Sequence, residues 1–418
     1  MREGWEVKEL KKVAKVFNGN SINAKEKTEK YTGLEKGTPF IATKDVSFGH
    51  QIDYNNGVLI PEPKSSEFKI APVNSVLVCA EGGSAGRKIA HNDRNINFGN
   101  KLFAIVPNAT VDSTFIFYYC INKDFYDAFS ENMAGIIGGV SLKKFQTLFF
   151  PIPPLPEQKR IVAILDEAFE GIDRAIANAE KNLANSRELF ESYLNNVFTQ
   201  KGDGWVESKL VDICSIKHGF AFKSQFFTDT GNYILLTPGS FYESGGYREQ
   251  GLKTKYYVGE IPEGYILNKG DFIFAMTEQA VGLLGASLIV PEDDLFLHNQ
   301  RLGLVQIADS IAWHNDFFFH QFNTKRFRAA VQVSASGVKV RHTSPTKLGE
   351  ISVYFPSTKG KQKFIADELN ELLIHTQHLE TIYQQKLTAL TELKQSLLHK
   401  AFSGELTADV PVKKKAVA

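Results

Sequence analysis

The sequence has little of what stabilises secreted or membrane proteins. Its three cysteines, Cys79, Cys120 and Cys214, are too few and too widely spaced for a disulfide framework or a zinc site. We expect each to be a small buried apolar residue in a reducing, cytoplasmic location. No run approaches the roughly 18 apolar residues that a membrane-spanning helix needs. The opening residues 1–6 lack the apolar core of a signal peptide.

An excess of either charge is also missing. The 418 residues carry 48 lysines and arginines against 47 acidic residues, a net charge of +1. This balance argues against a uniformly basic nucleic-acid coat protein, so any nucleic-acid binding must come from local patches. Hydrophobic residues make up 43% of the chain, which is ample for packed cores, and the length predicts two to four domains.

The chain repeats itself once. Matching residues lie 200 positions apart near the start of each half and 204 or 205 apart near its end. The pairs are Gly4-Trp5 with Gly204-Trp205, Leu10 with Leu210, Gly19 with Gly219, Asn100-Lys101-Leu102 with Gln300-Arg301-Leu302, Phe150-Pro151 with Phe355-Pro356, and Gln158-Lys159 with Gln362-Lys363. Because small drifts in spacing are what loop insertions produce, the pattern indicates an internal duplication.

Each half begins with a region of mixed secondary structure. Short apolar runs bounded by turn-forming residues predict strands, and two longer segments in residues 114–131 and 311–331 predict helices. The predicted strands include residues 75–78, 103–106, 233–236, 272–275 and 302–305. We therefore expect a mixed α/β domain in each half.

Each half ends in a segment with the pattern of a long helix. Residues 157–198 contain no proline, and apolar residues recur there at alternating steps of four and three, as along a coiled-coil seam. The predicted seams are Ile161, Leu165, Ala168, Ile172, Ala175, Ala179, Leu183, Leu189, Tyr193 and Val197, and then Ile365, Leu369, Leu372, Leu379, Tyr383, Leu387, Leu390, Leu397 and Ala401. Asn182, Ser186 and Thr376 fall near the seams, where they either fix the pairing register or lie at a solvated edge.

The order of segments predicts the architecture. If the two helices pack antiparallel, a globule folds at each end of a rod, related by an approximate two-fold axis. The predicted fold class is α+β, with two mixed α/β domains separated by two long antiparallel coiled-coil helices. The expected boundaries are 1–152 for the first domain, 153–200 for the central helix, 201–356 for the second domain, 357–404 for the C-terminal helix and 405–418 for a flexible tail. Two-fold readers of DNA address half-sites about 34 Å apart, which such a rod could span.

Several segments resemble one family. The stretch from Phe150 to Ile161, which reads FPIPPLPEQKRI, resembles the start of the conserved region in type I restriction–modification specificity subunits. The segment Phe402 to Leu406 resembles their C-terminal ending, and the two Gly-Trp openings resemble the starts of their target-recognition domains. The segment Ile216 to Phe220 also resembles the start of a target-recognition domain. The start of the second helix, after Pro356, departs from the proline-rich form of the family.

The resemblance implies a division of labour. Each target-recognition domain would read one part of a split double-stranded DNA sequence, and the paired helices would set the gap and dock two methyltransferase subunits. Restriction subunits would join through them. Adenine methylation and cleavage, with S-adenosylmethionine, Mg and ATP, would belong to these partners, so the chain itself is expected to need no cofactor.

Basic stretches without acidic residues supply the candidate DNA contacts. Residues 317–349 contain no acid and six lysines or arginines, and residues 132–156 contain no acid and hold Lys143 and Lys144. Such stretches suit phosphate contacts, and loop Arg, Lys and Thr side chains suit base edges. The candidates are Lys44, Arg87, Lys88, Lys101, Lys143, Lys144, Arg248, Arg301, Lys339, Arg341, His342 and Thr343.

Motifs for catalysis are missing from the sequence. The single Pro-Pro pair, Pro153-Pro154, is not in an Asn/Asp-Pro-Pro-aromatic methyltransferase motif, and the glycines of residues 82–87 lack P-loop spacing. His375 and His378 lie three apart on a helix without an evident third metal ligand. We expect a non-enzymatic chain. The alternatives are a coiled-coil scaffold with two protein- or peptide-binding globules, and an enzyme with an unrecognised site.

Overall fold

The computed structural model describes residues 4–135, 138–279 and 282–408, and these residues form two compact units. Unit 1 comprises Met1–Glu180 and Gln385–Ala418, and unit 2 comprises Lys181–Gln384. Both long helices therefore contribute to both units. Among the described residues, none of the helices is long and apolar enough to cross a membrane.

The described part of unit 1 combines ten short strands and six short α-helices with the beginning of one long helix and the end of the other. The strands are β1 Glu6–Glu9, β2 Ala14–Asn18, β3 Thr38–Ile41, β4 Leu59–Ile60, β5 Ile70–Ala71, β6 Val76–Cys79, β7 Ile89–His91, β8 Ile96–Phe98, β9 Leu102–Pro107 and β10 Phe149–Ile152. The helices are α1 Leu10–Val13, α2 Ala24–Glu26, α3 Lys64–Glu67, α4 Ser113–Cys120, α5 Lys123–Glu131, α6 Leu142–Gln146 and α7 Leu155–Gln200.

Unit 2 repeats this succession of elements. Its strands are β11 Trp205–Lys209, β12 Cys214–His218, β13 Phe227–Thr228, β14 Tyr233–Leu235, β15 Tyr256–Tyr257, β16 Ile266–Leu267, β17 Phe272–Ala275, β18 Thr277–Glu278, β19 Ser287–Ile289, β20 Phe296–Leu297, β21 Leu302–Ile307, β22 Arg341–His342 and β23 Ser352–Pro356. Its helices are α8 Leu210–Ile213, α9 Asn315–Phe322, α10 Lys325–Ser334, α11 Pro345–Gly349 and α12 Lys359–Ser403.

The sheets confirm the internal duplication. Unit 1 has a sheet in the order β2-β9-β6-β7, and unit 2 has one in the order β12-β21-β17-β19. In both, β2 or β12 pairs antiparallel with the six-residue strand β9 or β21. The strand that opens each half also pairs antiparallel with the strand before the long helix, β1 with β10 and β11 with β23. The predicted α+β class with two related mixed domains is confirmed.

The repeated glycines Gly19 and Gly219 have a steric cause. A Cβ atom on Gly19 would lie 2.0 Å from the Phe98 carbonyl oxygen, and one on Gly219 would lie 1.9 Å from that of Asn299. Such distances are impossible for any side chain. Glycine at both positions therefore lets the chain after β2 or β12 run against the loop that precedes β9 or β21.

The long helices pack antiparallel within each unit. In unit 1 the side chains of Asp173 and Lys394 form an ion pair, and in unit 2 Arg187 Nε donates to Glu380 Oε2 at 2.9 Å. Buried residues on both helices join the globule's core. They are Ile161, Leu165, Phe169, Ile172, Leu398, Ala401 and Phe402 in unit 1 and Leu194, Phe198, Ala366 and Leu369 in unit 2.

Part of the predicted seam is wrong in unit 2. Leu189 is 52% exposed, and Tyr193 and Leu379 are each 37% exposed. The buried line on α7 runs instead through Ser186 and Leu194, with Phe190 half-buried between them. A strict step of seven drifts around a helix of 3.6 residues per turn, so the buried stripe shifts by one residue along the helix.

The predicted polar seam positions divide in two. Ser186 and Thr376 are buried, whereas Asn182 is exposed. The Ser186 hydroxyl donates to the carbonyls of Asn182 and Leu183 one turn earlier, so the burial leaves no unsatisfied group on that side chain. In unit 1 the position equivalent to Thr376 is Ile172, 204 residues earlier, and the position equivalent to Ser186 is Leu390, 204 residues later. Unit 1 therefore has apolar residues where unit 2 has these two hydroxyls.

One buried glutamine fastens each globule to its long helix. The Gln158 amide accepts from the Asp112 backbone N–H at 2.8 Å and donates to the Thr110 and Pro153 carbonyls. The Gln362 amide makes the equivalent three bonds, to the His314 N–H and to the carbonyls of Ala312 and Pro356. Both side chains are fully buried. The second helix thus starts like the first although its sequence lacks the proline-rich form.

The predicted tail begins with packed residues. The backbone N–H of Leu406 donates to the Lys400 carbonyl at 2.9 Å, and Thr407 is 1% exposed with its hydroxyl bonded to Glu157. Residues 405–408 thus belong to unit 1, because they satisfy the end of α12 and cover the start of α7. Residues 409–418, which include the basic Lys413 to Lys415, lie outside the described residues.

Candidate nucleic-acid interface

The candidate surface of unit 1 lies at one end of the β2-β9-β6-β7 sheet. There the Ala80 N–H donates to the Lys101 carbonyl and the Cys79 N–H to the Lys88 carbonyl, both at 2.9 Å. Three neighbouring strands therefore end or begin together. The sheet aligns Lys101, the 80–81 corner and Lys88 in a row, although they are up to 21 positions apart in sequence.

Three of the predicted residues of unit 1 lie close to one another at this end. The Lys88 ammonium group donates to the Thr43 carbonyl at 3.1 Å, which places it beside the exposed Lys44. Arg87, which precedes Lys88, is exposed. The Lys101 ammonium group lies 2.7 Å from the Glu81 carboxylate, and this bond raises the Lys101 pKa. Lys101 is thus paired with an acid before any ligand arrives.

A glycine-rich loop lies beside the same end of the sheet. The Val140 N–H donates to the Ala80 carbonyl at 3.0 Å, and the Gly82 N–H donates to the Gly138 carbonyl at 2.8 Å. The loop leads into α6, where the Ser141 side chain caps the helix and Lys143 and Lys144 are exposed. The two lysines therefore extend the basic surface away from the sheet.

Unit 2 has the same arrangement. The Met276 N–H donates to the Arg301 carbonyl and the Ala275 N–H to the Ala286 carbonyl, both at 2.9 Å. Arg301 is exposed and makes no ion pair among the residues that the structure describes. It lines two adjoining clefts together with Thr237 and Lys255. The guanidinium beside these clefts has the donors needed for a phosphate or a guanine edge.

A turn at this surface positions further candidates. The Ser240 hydroxyl accepts from the Thr237 N–H at 3.2 Å, and the Asp45 carboxylate accepts from the Ala42 N–H at 2.8 Å in the equivalent turn of unit 1. These two side chains therefore cap turns. The Arg248 N–H donates to the Ser240 carbonyl, and its exposed side chain has no ion pair in the described structure.

The hairpin of residues 336–342 corresponds to the glycine-rich loop of unit 1. Ser336 and His342 exchange two backbone hydrogen bonds, of 3.0 and 2.9 Å, and β22 pairs with β18. Lys339 at the tip and His342 are exposed. Gly337 has a φ of +102°, and a Cβ there would lie 2.1 Å from the Val340 carbonyl oxygen, so this tight tip requires glycine.

Two predicted contacts, Arg341 and Thr343, belong to the framework of this hairpin. Arg341 forms a 3.6 Å ion pair with Glu278, which is 2% exposed, and donates to the Gln332 carbonyl at 2.7 Å. Thr343 is 5% exposed, and its backbone N–H bonds to Met276. Since a buried carboxylate needs a counter-ion, Arg341 has a structural partner, and neither Arg341 nor the buried Thr343 side chain is available to DNA in this conformation.

The acid-free stretch 317–349 is likewise only partly free for DNA. Arg328 donates to the carbonyls of Leu284, Glu243 and Gly282 and to the Asn323 side chain. Its burial lowers the Arg328 pKa to about 10. A run without acids in the sequence therefore includes an arginine whose charge stabilises loop carbonyls inside the protein.

A buried histidine supports the loop before β21. His298 is fully buried, with Nε2 at 3.0 Å from the Leu302 carbonyl oxygen, whereas its Nδ1 has no hydrogen-bond partner in the described structure. Burial lowers its pKa to about 4, so the ring is neutral at pH 7. The position 200 residues earlier holds Phe98, which is also fully buried.

Sequence reasoning missed several residues of this surface. Lys255 and Gln279 line the clefts beside Arg301, and Phe48 is 56% exposed close to Arg87 and Lys88. Phe48 stands in a turn rather than in an apolar run, and an aromatic residue in such a turn was a usable signal. The clefts themselves depend on long-range pairing and had no local signal.

The described residues show no site for metal chemistry. No group of three or more His, Cys, Asp or Glu side chains there could hold a metal ion. His375 is exposed and lies 3.7 Å from Glu371 one turn away, the arrangement of a solvated helix face. The three cysteines are buried and unpaired, as predicted. Trp5 and Trp205 pack in the cores, Trp205 against the rings of Phe198 and Phe317.

The helix pairs have exposed apolar side chains of their own. In unit 1, Leu393 is 46% exposed and lies beside Gly171, where an added Cβ would meet no atom within 4 Å. In unit 2 the exposed apolar residues of the two helices are Leu189, Tyr193, Phe364, Ile374, Leu379 and Ile382. Such surfaces on long helices are typical of sites that a protein partner covers.

The family is established by comparison with known proteins. The model of the type I restriction modification DNA specificity domain matches residues 2–183 and again residues 202–389. The chain therefore belongs to the type I restriction–modification DNA specificity family, and the two matches coincide with its duplicated halves.

Individual relatives agree with this assignment. The EcoKI specificity subunit of Escherichia coli strain K12 is 22% identical, with 97% of this chain and 90% of that one covered. The EcoBI specificity subunit of Escherichia coli is 27% identical over 228 residues, which span 54% of this chain and 44% of that relative's length.

Solved structures have the same fold at low sequence identity. A chain from a study of complex assembly and conformational transition of the type I R-M system matches with a TM-score of 0.75 at 15% identity, over 97% of this chain and 99% of that one. The HsdS subunit from Thermoanaerobacter tengcongensis matches with a TM-score of 0.59 at 15% identity, over 97% and 98%.

Proposed function

We propose that this chain is the non-catalytic, DNA-reading subunit of a type I restriction–modification complex and that it recognises a split target with a fixed gap. Unit 1 reads one half of the target and unit 2 reads the other. The observation that supports this most strongly is the recurrence of one surface in both units. A basic residue, Lys101 or Arg301, immediately precedes the six-residue strand β9 or β21, and a glycine-containing loop lies beside it.

The chemistry of these surfaces suits double-stranded DNA. Exposed lysines and arginines provide phosphate contacts, and the loop and cleft side chains provide donors and acceptors for base edges. The remaining candidates for DNA contact are Lys44, Arg87, Lys88, Lys101, Lys143, Lys144, Arg248, Arg301, Lys339 and His342, to which the structure adds Lys255 and Gln279.

The long helices are proposed to bind two methyltransferase subunits, which in turn recruit restriction subunits. The exposed apolar residues of the helices, among them Leu189 at 52% and Ile374 at 65%, support this role because a soluble partner would bury them. Methylation and cleavage, with S-adenosylmethionine, Mg and ATP, then take place in the partner chains. The assembly is proposed to act in the cytoplasm, where its DNA substrate is.

A map of adenine methylation across the genome tests this function. The map is made in cells that express the cognate methyltransferase subunit with and without this chain. We expect a split motif with a constant gap that disappears when the chain is omitted. Methylation that persists without the chain, or a short continuous motif, would favour the alternative of a scaffold whose globules bind proteins or peptides. Binding of S-adenosylmethionine to the purified chain alone would favour an enzyme.

A further inference from the structure

Unit 1 presents an exposed phenylalanine at the tip of a tight hairpin. Val46 and Ile52 form the bridge that closes the hairpin, and the Ser47 N–H donates to the Gln51 carbonyl at 2.9 Å. Phe48 lies in this turn and is 56% exposed. A large apolar side chain on a short, hydrogen-bonded turn has a restricted direction and lies outside the core, so it is accessible to a ligand.

Two cations flank the Phe48 ring. The Arg87 guanidinium carbon lies 5.2 Å from the ring centroid and the Lys88 ammonium nitrogen lies 5.3 Å from it. Neither side chain forms an ion pair with an acid among the described residues. A ligand that meets this surface must therefore combine an apolar, flat group with negative charges on its flanks, which is the chemistry of stacked bases between phosphates.

This hairpin is continuous with the candidate nucleic-acid interface. Lys88 is bonded through its backbone to Cys79, next to the 80–81 corner and Lys101, and through its side chain to Thr43. Phe48 follows Thr43 by five residues. The ring therefore lies beside the loops that are proposed to read DNA.

Unit 2 does not have this device. Its equivalent hairpin is closed by Phe241 and Tyr247, and the position that corresponds to Phe48 holds Glu243. The exposed aromatic residue there is Tyr242, one position earlier and 52% exposed, and no cation lies over its ring among the described residues. The turn between β17 and β19 has Gly285 and Ala286 where unit 1 has Gly86, Arg87 and Lys88. The acid in the turn and the absence of the two cations mean that unit 2 has no cation-flanked ring here, although the exposed Arg248 follows the hairpin directly. The difference indicates a function that only the first reader performs.

We infer that Phe48 is a wedge that unstacks a base step of the target DNA, with Arg87 and Lys88 bound to the phosphates beside it. This inference rests on the proposed function. Some DNA-binding proteins insert Phe, Leu, Ile or Met between two stacked base pairs and kink the duplex there. The energy needed for the kink depends on the DNA sequence, so it adds specificity. Phe48 would thus contribute to specificity without a hydrogen bond to any base.

The test uses the chain in complex with its methyltransferase and the duplex defined by the methylation map. 2-Aminopurine replaces single adenines in the half-site that unit 1 reads and in the adjoining gap, but not the adenine that is methylated, because the methyltransferase flips that base out of the stack. We expect binding to raise its fluorescence at one step. Phe48→Ala should abolish that rise and weaken target binding about tenfold or more, whereas Phe48→Trp should retain both. Arg87→Gln should reduce the slope of log K against log salt by about 1.

A matched control is available in the same unit. Phe149 is 60% exposed, and no cation lies over its ring in the described structure, so Phe149→Ala should bind and unstack DNA like the wild type. If Phe48→Ala behaves like Phe149→Ala, the wedge is wrong. It is also wrong if Phe48→Ala weakens association with the methyltransferase in the absence of DNA and leaves the fluorescence rise intact, because the hairpin then docks a protein. A wild type that fails to distinguish the target from a scrambled duplex would overturn the proposed function as well.

Discussion

The two units have the same framework and different uses of charge. Where α5 of unit 1 has Tyr126, the equivalent position of α10 in unit 2 has Arg328, whose guanidinium bonds to the carbonyls of two loops. Lys101 of unit 1 is paired with Glu81, whereas Arg301 of unit 2 stands beside Thr277 with no acid partner in the described structure. Duplication has thus kept the strands and the anchoring glutamines, while the surface charges have diverged.

The comparison teaches which charges can be read as functional. A basic residue near the end of the sheet is discounted as a DNA contact when buried groups of the protein hold its charged group. By that criterion Arg301 is free, Lys101 is partly engaged, and Arg328 and Arg341 are structural. Substitutions at free and at engaged residues should therefore differ in their effects on DNA binding and on stability.

Arg328→Ala should destabilise unit 2 and leave unit 1 intact. The substitution removes the donors to the carbonyls of Leu284, Glu243 and Gly282, and we expect a cost of about 3 kcal/mol or more. Hydrogen exchange should locate the loss in residues 242–246 and 282–285. Tyr126→Ala is the matched control in unit 1 and should cost about 1 kcal/mol. Equal effects of the two substitutions would show that the divergence has no energetic consequence.

His298→Phe should remove an acid sensitivity of unit 2. The folded pKa of His298 is about 4, below the value of 6.5 in the unfolded chain. The unfolded state therefore binds the proton more readily, and stability falls as the pH drops from about 6.5 towards 4. The loss is roughly 2 kcal/mol at pH 5. Phenylalanine, which unit 1 has at the equivalent Phe98, cannot take up this proton.

Denaturant unfolding of both proteins at pH 7 and pH 5 measures this difference. The free energy of unfolding should fall more for the wild type than for His298→Phe between pH 7 and pH 5. Acidic residues elsewhere contribute equally to both proteins. If the difference in free energy of unfolding between the two proteins does not change with pH, His298 has the same pKa in the folded and unfolded chains.

Arg301→Ala should weaken target binding more than Lys101→Ala does. A free arginine that contacts a base contributes about 1–3 kcal/mol, whereas Lys101 must first leave Glu81, which offsets part of its contact. Glu81→Gln should then strengthen binding slightly by releasing Lys101. Fluorescence anisotropy with the target duplex at fixed salt gives these affinities. If Lys101→Ala has the larger effect, pairing within the protein is no guide to function.

Much of the fold could be predicted from the sequence because its signals are local or repeated. The apolar runs became β6, β9, β17 and β21, and the proline-free segments became two helices of 46 and 45 residues. The seam failed at Leu189, Tyr193 and Leu379, since seven-residue spacing does not determine which face a globule covers. Which apolar residues of a long helix are buried depends on the elements that pack against it.

The candidate site was less predictable. The exposed Lys339 and the neighbouring Arg87 and Lys88 were visible as loop residues, but Arg341 has the same local signal and is tied to Glu278. That partner lies 63 positions away in sequence, so no local pattern reveals the pairing. The role of an arginine therefore became clear only once β18 and β22 were seen side by side.

The central claim is that each unit reads its own half of a split target. The most direct test replaces residues 1–152 with the corresponding region of another family member and maps adenine methylation again in the presence of the same methyltransferase subunit. The account predicts that one half of the motif changes while the other half and the gap stay constant. A motif that changes in both halves, or does not change at all, would contradict it.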